Sequence, residues 1–114
     1  MRLAYDLHDV WGLLFVFSIE NTHDVAREEI ITSKNVNDDE ELGQLFDLLI
    51  RPEFLFHSPK DKILLINTLS YFLENGDSFD RVFLNLDAYF DDVNDQRRFM
   101  RVLLASLMRY QAES

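Results

Sequence analysis

The sequence contains no cysteine and very little glycine or proline. Among its 114 residues there are three Gly and two Pro. Without Cys, the chain has no disulfide bond, no thiolate nucleophile, no cysteine-bound zinc and no thiolate-held iron–sulfur cluster, and it is compatible with a reducing compartment. Because Gly and Pro interrupt regular structure, their scarcity indicates long elements joined by few loops, a pattern typical of helices.

Long apolar runs are also missing. The apolar run at 10–17 has eight residues, whereas about 20 are needed to cross a bilayer. It follows Asp6 and Asp9, where a signal peptide would carry basic residues. We therefore expect no membrane partner and no export, and the predicted location is cytoplasmic.

Basic residues are scarce relative to acidic ones. The chain has 21 acidic and 11 basic residues, which gives a formal net charge of -10. This charge disfavours direct binding to nucleic acid and to anionic membrane surfaces, because both carry dense negative charge. A basic protein surface is the expected partner.

The hydrophobic pattern predicts an all-α, single-domain bundle of about six helices over 1–114. Apolar residues recur at three- and four-residue steps within segments that have recognisable ends. The clearest start is Ser58, Pro59 and Asp61, and Gly76 closes the same helix. The predicted helices lie at 3–17, 22–33, 37–51, 58–74 and 79–90, and from Asn94 onward.

Three of these helices carry more specific expectations. The third should begin with a cap at Asn37 and end before Pro52, since proline removes a backbone donor. The fourth is apolar around most of its circumference, which predicts a position in the middle of the bundle. The first overlaps 13–19, a stretch rich in β-formers that is an alternative strand. No second β-rich run could pair with it, so a helix is predicted there.

A search for catalytic machinery finds none. His8, His23 and His57 are not at metal-ligand spacing, and the isolated glycines exclude phosphate-binding loops. The acidic cluster at 91–95 has Val93 at a ligand position and no following Gly, so it does not match a calcium-binding loop. We predict no enzyme activity, no cofactor, and no catalytic or metal-binding residue.

The acids are unevenly distributed. Segment 20–47 has nine acids against two basic residues, 74–95 has seven against one, and 96–114 has four Arg against one Glu. The helix predicted at 79–90 has a strip of residues that lies away from its apolar face. This strip presents an exposed leucine surrounded by acids. Two further acids face outward from the helix that precedes Pro52. The candidate partner-binding residues are Glu40, Asp47, Asp80, Leu84, Asp87 and Asp91.

An alternative interpretation needs no partner. Acids solvate outer helix faces and stabilise helix N-termini, which would account for Asp38, Asp39, Asp61 and Asp95. The total charge of -10 nevertheless favours a binding role, because a net charge of about 2 to 8 in magnitude already keeps a small domain soluble.

A small, Cys-free, helical and strongly acidic chain with these acid strips resembles the immunity proteins that neutralise bacterial toxins, including those of contact-dependent growth inhibition systems. The resemblance covers size, composition and charge layout over the whole chain. It implies a monomeric, stoichiometric inhibitor that forms a heterodimer with a basic toxin domain, often a nuclease, and blocks its active site or substrate groove.

Two other functions remain open. One is a phage-type acidic nucleic-acid mimic, such as an anti-CRISPR or anti-restriction inhibitor, although 11 basic residues count against a phosphate-like surface. The other is a helical adaptor or regulatory subunit whose charge only maintains solubility.

Overall fold

Six α-helices lie in the described part of the chain, as the hydrophobic pattern predicts. The computed structural model describes residues 6–17, 25–84 and 93–113, and these contain no strand. The helices are α1 (Leu7–Leu14, continued by a 3₁₀ turn at Phe15–Phe17), α2 (Val25–Thr32), α3 (Asp39–Phe56), α4 (Pro59–Glu74), α5 (Asp80–Leu84) and α6 (Gln96–Glu113).

Short polar side chains start the helices, as expected from helix capping. Ser58 Oγ accepts a hydrogen bond from the Asp61 N–H at 3.2 Å, and Gly76 has a φ of 75° just beyond α4. Two predicted caps are displaced by one residue. Asp38, not Asn37, caps α3, and Asp95, not Asn94, accepts the Arg98 N–H in the first turn of α6. In both cases a carboxylate is the stronger acceptor beside the positive end of the helix.

The prediction that Pro52 ends α3 is wrong, because the helix continues to Phe56. Pro52 has no N–H for the Leu48 carbonyl, but both side chains are exposed, so water reaches this face of the helix. The added turn buries Phe54 completely. Burying an aromatic side chain contributes about 1.5 to 3 kcal/mol, which offsets one missing hydrogen bond.

The helices pack around one core. Both α6 and α1 contact α3 and α4. The α3 and α6 helices run parallel, since Asp39 lies 3.2 Å from Arg98 near their N-terminal ends and Phe54 contacts Tyr110 near their C-terminal ends. The predicted stripe of α6 is confirmed, because every one of its members is buried: Phe99, Leu103, Leu107 and Tyr110.

The central position predicted for α4 is wrong, because α4 has a solvent-facing side on which Ile63 is half-exposed. The helix predicted at the N-terminus is confirmed over 7–17, so the described part of 13–19 is helical; Leu3 and 18–19 lie outside the described residues. The fifth helix is confirmed over Asp80–Leu84, and 85–90 lies outside them.

Candidate acidic interface

Arg98, in the first turn of α6, ties this helix to the segment before α3. Its guanidinium donates to the carbonyl oxygens of Val36 at 3.1 Å and Asn37 at 2.5 Å. Its Nε lies 3.2 Å from the carboxylate of Asp39. The loop 33–38 and the start of α3 are therefore held against the N-terminal end of α6.

Arg97 makes the matching connection on the other side of α6. Its guanidinium donates to the carbonyl oxygens of Leu73 and Asp77, both at 2.8 Å. These carbonyls lie at the end of α4 and in the turn to α5. Because Leu73 lies in the last turn of α4, where carbonyls lack the usual helical donors, the cation adds a donor at the helix end as well as closing the turn.

The two arginines bring the two acidic blocks of the sequence to one end of the bundle. Segments 34–41, 74–81 and 93–98 meet there, and together they contain eight acidic and four basic residues. We call this region the acidic end. Its acidic members come from the start of α3, the end of α4, the start of α5 and the cap of α6: Asp38, Asp39, Glu40, Glu41, Glu74, Asp77, Asp80 and Asp95.

Three of the predicted site residues lie at or beside the acidic end. Glu40 and Asp80 are exposed, each in the first turn of its helix. Leu84 lies one turn beyond Asp80 and is 82% exposed. The exposed leucine next to an acid is therefore present. Asp87 and Asp91 lie outside the described residues.

Asp80 has a neighbour on α6. When the Gln96 amide is oriented by its hydrogen-bond partners, its nitrogen lies 2.8 Å from both the Asp80 carboxylate and the Ser78 carbonyl oxygen. This contact fixes the position of α5 relative to α6, and one carboxylate oxygen of Asp80 remains available to a partner.

Asp47 has a different environment from the other predicted site residues. Its Oδ1 accepts hydrogen bonds from Arg109 and, at 2.5 Å, from the buried hydroxyl of Tyr110. Burial and the hydrogen bond to Asp47 raise the pKa of Tyr110 far above its ordinary value. Asp47 thus holds α3 against α6, and the sequence pattern shows only that it faces away from the leucine stripe.

Sequence reasoning missed a cleft of about 430 Å³ between α1 and α5. Trp11 and His8 stack along it with ring centroids 5.2 Å apart, and Asp6 and Arg81 also line it. Trp11 shares a helical face with core residues, so its spacing alone indicates burial. The sequence did contain one signal of an exposed Trp11: the polar residues Asp6 and His8 precede it within two turns.

Within the described residues, no group of three or more His, Asp or Glu side chains is placed to hold a metal ion. No helix in the described part of the chain is long and apolar enough to cross a membrane. Comparison of the chain with protein-family models, with curated proteins and with solved structures finds no match.

Proposed function

We propose that this protein is a cytoplasmic immunity-type inhibitor that binds a basic toxin domain, in particular a nuclease, through its acidic end. One copy of the chain would bind one toxin domain and cover its active site or substrate groove. The proposal combines the class of protein that the sequence resembles with the charge arrangement at the end of the bundle.

The observation that carries the proposal is that basic residues at the acidic end donate their hydrogen bonds to groups within the chain, while most of the acids are exposed. Arg97 and Arg98 donate to backbone carbonyl oxygens, and Lys34 donates to Gln44 at 2.9 Å. Three of the four cations at the acidic end are thus held by contacts within the chain. The side-chain carboxylates of Glu40 and Glu74 make no hydrogen bond or ion pair with the described residues, and both residues are exposed. Six of the eight acids at the acidic end are exposed, against one of its four basic residues, so the negative charge is the more accessible one.

The acidic end offers a basic partner both attraction and an anchor. Clustered surface charge of one sign raises association rates to as much as about 10⁸ to 10⁹ per molar per second at low salt. Leu84 adds apolar area that loses contact with water on binding, which is the property of side chains at the centre of an interface. Charge selects the partner, and the apolar contact slows its release.

A nuclease fits this surface because its own substrate is a polyanion. A nuclease needs a basic groove to bind phosphates, and carboxylates at the acidic end are attracted to the same groove. Occupation of that groove excludes the nucleic acid without any chemistry by the inhibitor.

The first test is capture of the partner by the tagged chain at low salt, followed by release at high salt. We expect a basic toxin domain at an equimolar ratio, whose nuclease activity falls in proportion to added inhibitor. Capture of a CRISPR or restriction complex would instead support the nucleic-acid mimic. The absence of any salt-sensitive partner would overturn the proposal.

A matched pair of double variants locates the interface. E40K/D80K reverses two charges at the acidic end, and E53K/D61K reverses two exposed charges near the turn between α3 and α4. Both pairs change the net charge equally, and Asp61, like Glu40 and Asp80, lies in the first turn of a helix. We expect association to slow about tenfold or more only for E40K/D80K. Equal effects of the two pairs would contradict a localised acidic interface.

A further inference from the structure

The cleft between α1 and α5 has the size and the lining of a small-ligand site. Its volume of about 430 Å³ falls within the roughly 300 to 1,000 Å³ of such sites, which are mostly apolar and carry a few polar groups. The described residues that line it are two aliphatic side chains, two rings and one charge of each sign: Leu7, Val82, His8, Trp11, Asp6 and Arg81.

The apolar part of the lining can cover an apolar group of a ligand. Leu7 is 6% exposed and Val82 is 2% exposed, so these core residues form the closed side of the cleft. Trp11 is half-buried and stacks with the exposed ring of His8. A ligand side chain placed against these residues would lose contact with water, which favours binding.

The two charges of the cleft come from different helices. Asp6 caps α1, where its Oδ1 accepts the His8 N–H at 2.9 Å, and it forms no ion pair with any residue that the structure describes. Arg81 lies on α5, and both charged residues are exposed. Because Asp6 and Arg81 do not pair with each other, the carboxylate can accept from a ligand ammonium while the guanidinium donates to a ligand carboxylate.

The α5 wall of the cleft is held in place by the turn before it. Phe79 has a φ of 65°, a left-handed conformation that is uncommon for a bulky residue. It is retained because the Phe79 side chain is fully buried and its N–H donates to Asp77 Oδ1 at 2.7 Å. The wall that carries Arg81 is therefore formed before any ligand binds, which lowers the free-energy cost of binding.

We propose that this cleft binds a free amino acid with an apolar side chain. The ammonium group lies at Asp6 and against the indole of Trp11, whose ring face attracts cations. The carboxylate lies at Arg81, and the apolar side chain lies against Leu7 and Val82. A ligand with a single charge would be attracted by one charged residue and repelled by the other, so the lining selects a zwitterion.

Titration of the purified chain with L-leucine, up to millimolar concentration, tests the proposal. Fluorescence of Trp11, the single Trp of the chain, and isothermal titration calorimetry both report binding. We expect saturable binding of L-leucine. L-Leucine methyl ester keeps only the ammonium and also imitates the N-terminal residue of a peptide, whereas 4-methylpentanoate keeps only the carboxylate. Each should bind about tenfold or more weakly than L-leucine, because each loses one charge-assisted contact.

A matched pair of double variants locates the site. D6N/R81Q removes both charges of the cleft and keeps the α1 cap, since Asn caps helices as well as Asp does. D61N/R101Q removes one exposed charge of each sign from α4 and α6. We expect the dissociation constant for L-leucine to rise about tenfold or more only in D6N/R81Q. Thermal melting followed by circular dichroism checks the fold, and D6N/R81M replaces D6N/R81Q if that variant fails to fold.

Three results would overturn the proposal: no saturable binding of L-leucine by either method, equal affinity for the methyl ester, or equal effects of the two double variants. The amino-acid site does not depend on the proposed function. Failure to bind L-leucine and failure to inhibit a toxin are therefore separate outcomes, measured with different ligands.

Discussion

Glu40 and Asp47 lie about two turns apart on α3 and act differently. Glu40 extends into solvent at the acidic end, whereas Asp47 accepts hydrogen bonds from Arg109 and Tyr110. Other acids cap helices, as Asp6 and Asp38 do by accepting N–H groups two residues along, both at 2.9 Å. Stabilisation of helix N-termini therefore accounts for several of the acids, including Glu40 in the first turn of α3, but not for Glu74, which lies at the unfavourable end of a helix dipole.

Replacing Asp47 with alanine should destabilise the fold, whereas replacing Glu40 should not. In D47A the buried Tyr110 hydroxyl loses its acceptor, which costs about 1 to 3 kcal/mol. E40A removes an exposed side chain without a contact, and such changes stay within about 0.5 kcal/mol. Urea unfolding of the two variants measures both values. Equal stabilities of D47A and E40A would contradict the role given to Asp47.

Tyr110 makes the protein sensitive to alkaline pH. Burial and the hydrogen bond to Asp47 raise the pKa of Tyr110 in the folded state, while in the unfolded chain it is about 10. Its contribution to the free energy of unfolding is complete below about pH 10 and is lost as the pH rises further. Unfolding measured at increasing pH should show a steeper loss for the wild type than for Y110F. Parallel losses would mean that Tyr110 ionises freely.

At the scale of elements, α6 organises the molecule through both of its faces. Its apolar stripe packs between α3 and α4, and Arg97 and Arg98 fasten the segments that precede α3 and α5. The periodicity of the sequence predicts the stripe correctly. It assigns the arginines only to the remaining surface, because a helical pattern specifies which side a residue is on and not which distant carbonyl lies opposite.

The strip of acids predicted around Leu84, comprising Asp80, Asp87 and Asp91, gives a prediction about binding. Charge reversal at Asp80, Asp87 and Asp91 should slow association with the basic partner about tenfold or more. L84A should act on dissociation instead, since it removes apolar contact and leaves the charge unchanged. Stopped-flow fluorescence of Trp11, the single Trp of the chain, reports both rates, because the Trp11 cleft borders α5. Effects on neither rate would remove this strip from the interface.

At the scale of the whole molecule, charge divides the bundle into the acidic end and an opposite end, where segments 51–63 and 108–113 contain four basic and three acidic residues. The parallel arrangement of α3 and α6 and the antiparallel arrangement of α4 produce this division. Acids that are up to 57 positions apart, such as Asp38 and Asp95, are brought together there, and the N–H of Asn94 donates to Asn37 Oδ1 at 2.8 Å across the same separation of 57 residues.

Concentrating like charges at one end should make stability depend on salt. Sodium chloride shortens the range of the repulsion to about 8 Å at physiological ionic strength. We expect the melting temperature to rise by roughly 4 °C between low and moderate salt, equivalent to about 1 kcal/mol. The E40K/D80K variant should show a smaller rise than E53K/D61K. Identical salt dependence in both would indicate that the repulsion is spread evenly over the surface.

The sequence by itself determined the helices, because spacing, caps and the scarcity of Gly and Pro are local properties, and it determined the net charge. The prediction that α3 ends before Pro52 was wrong because the added turn buries Phe54 against Tyr110 of α6. That helix is remote in sequence, so the free energy gained by this burial is not visible in the local pattern. Only the tertiary structure decided which acids gather at one end and that Asp47, Arg97 and Arg98 make their contacts within the chain. Those properties depend on how the helices are oriented relative to each other, and contacts between residues tens of positions apart set that orientation.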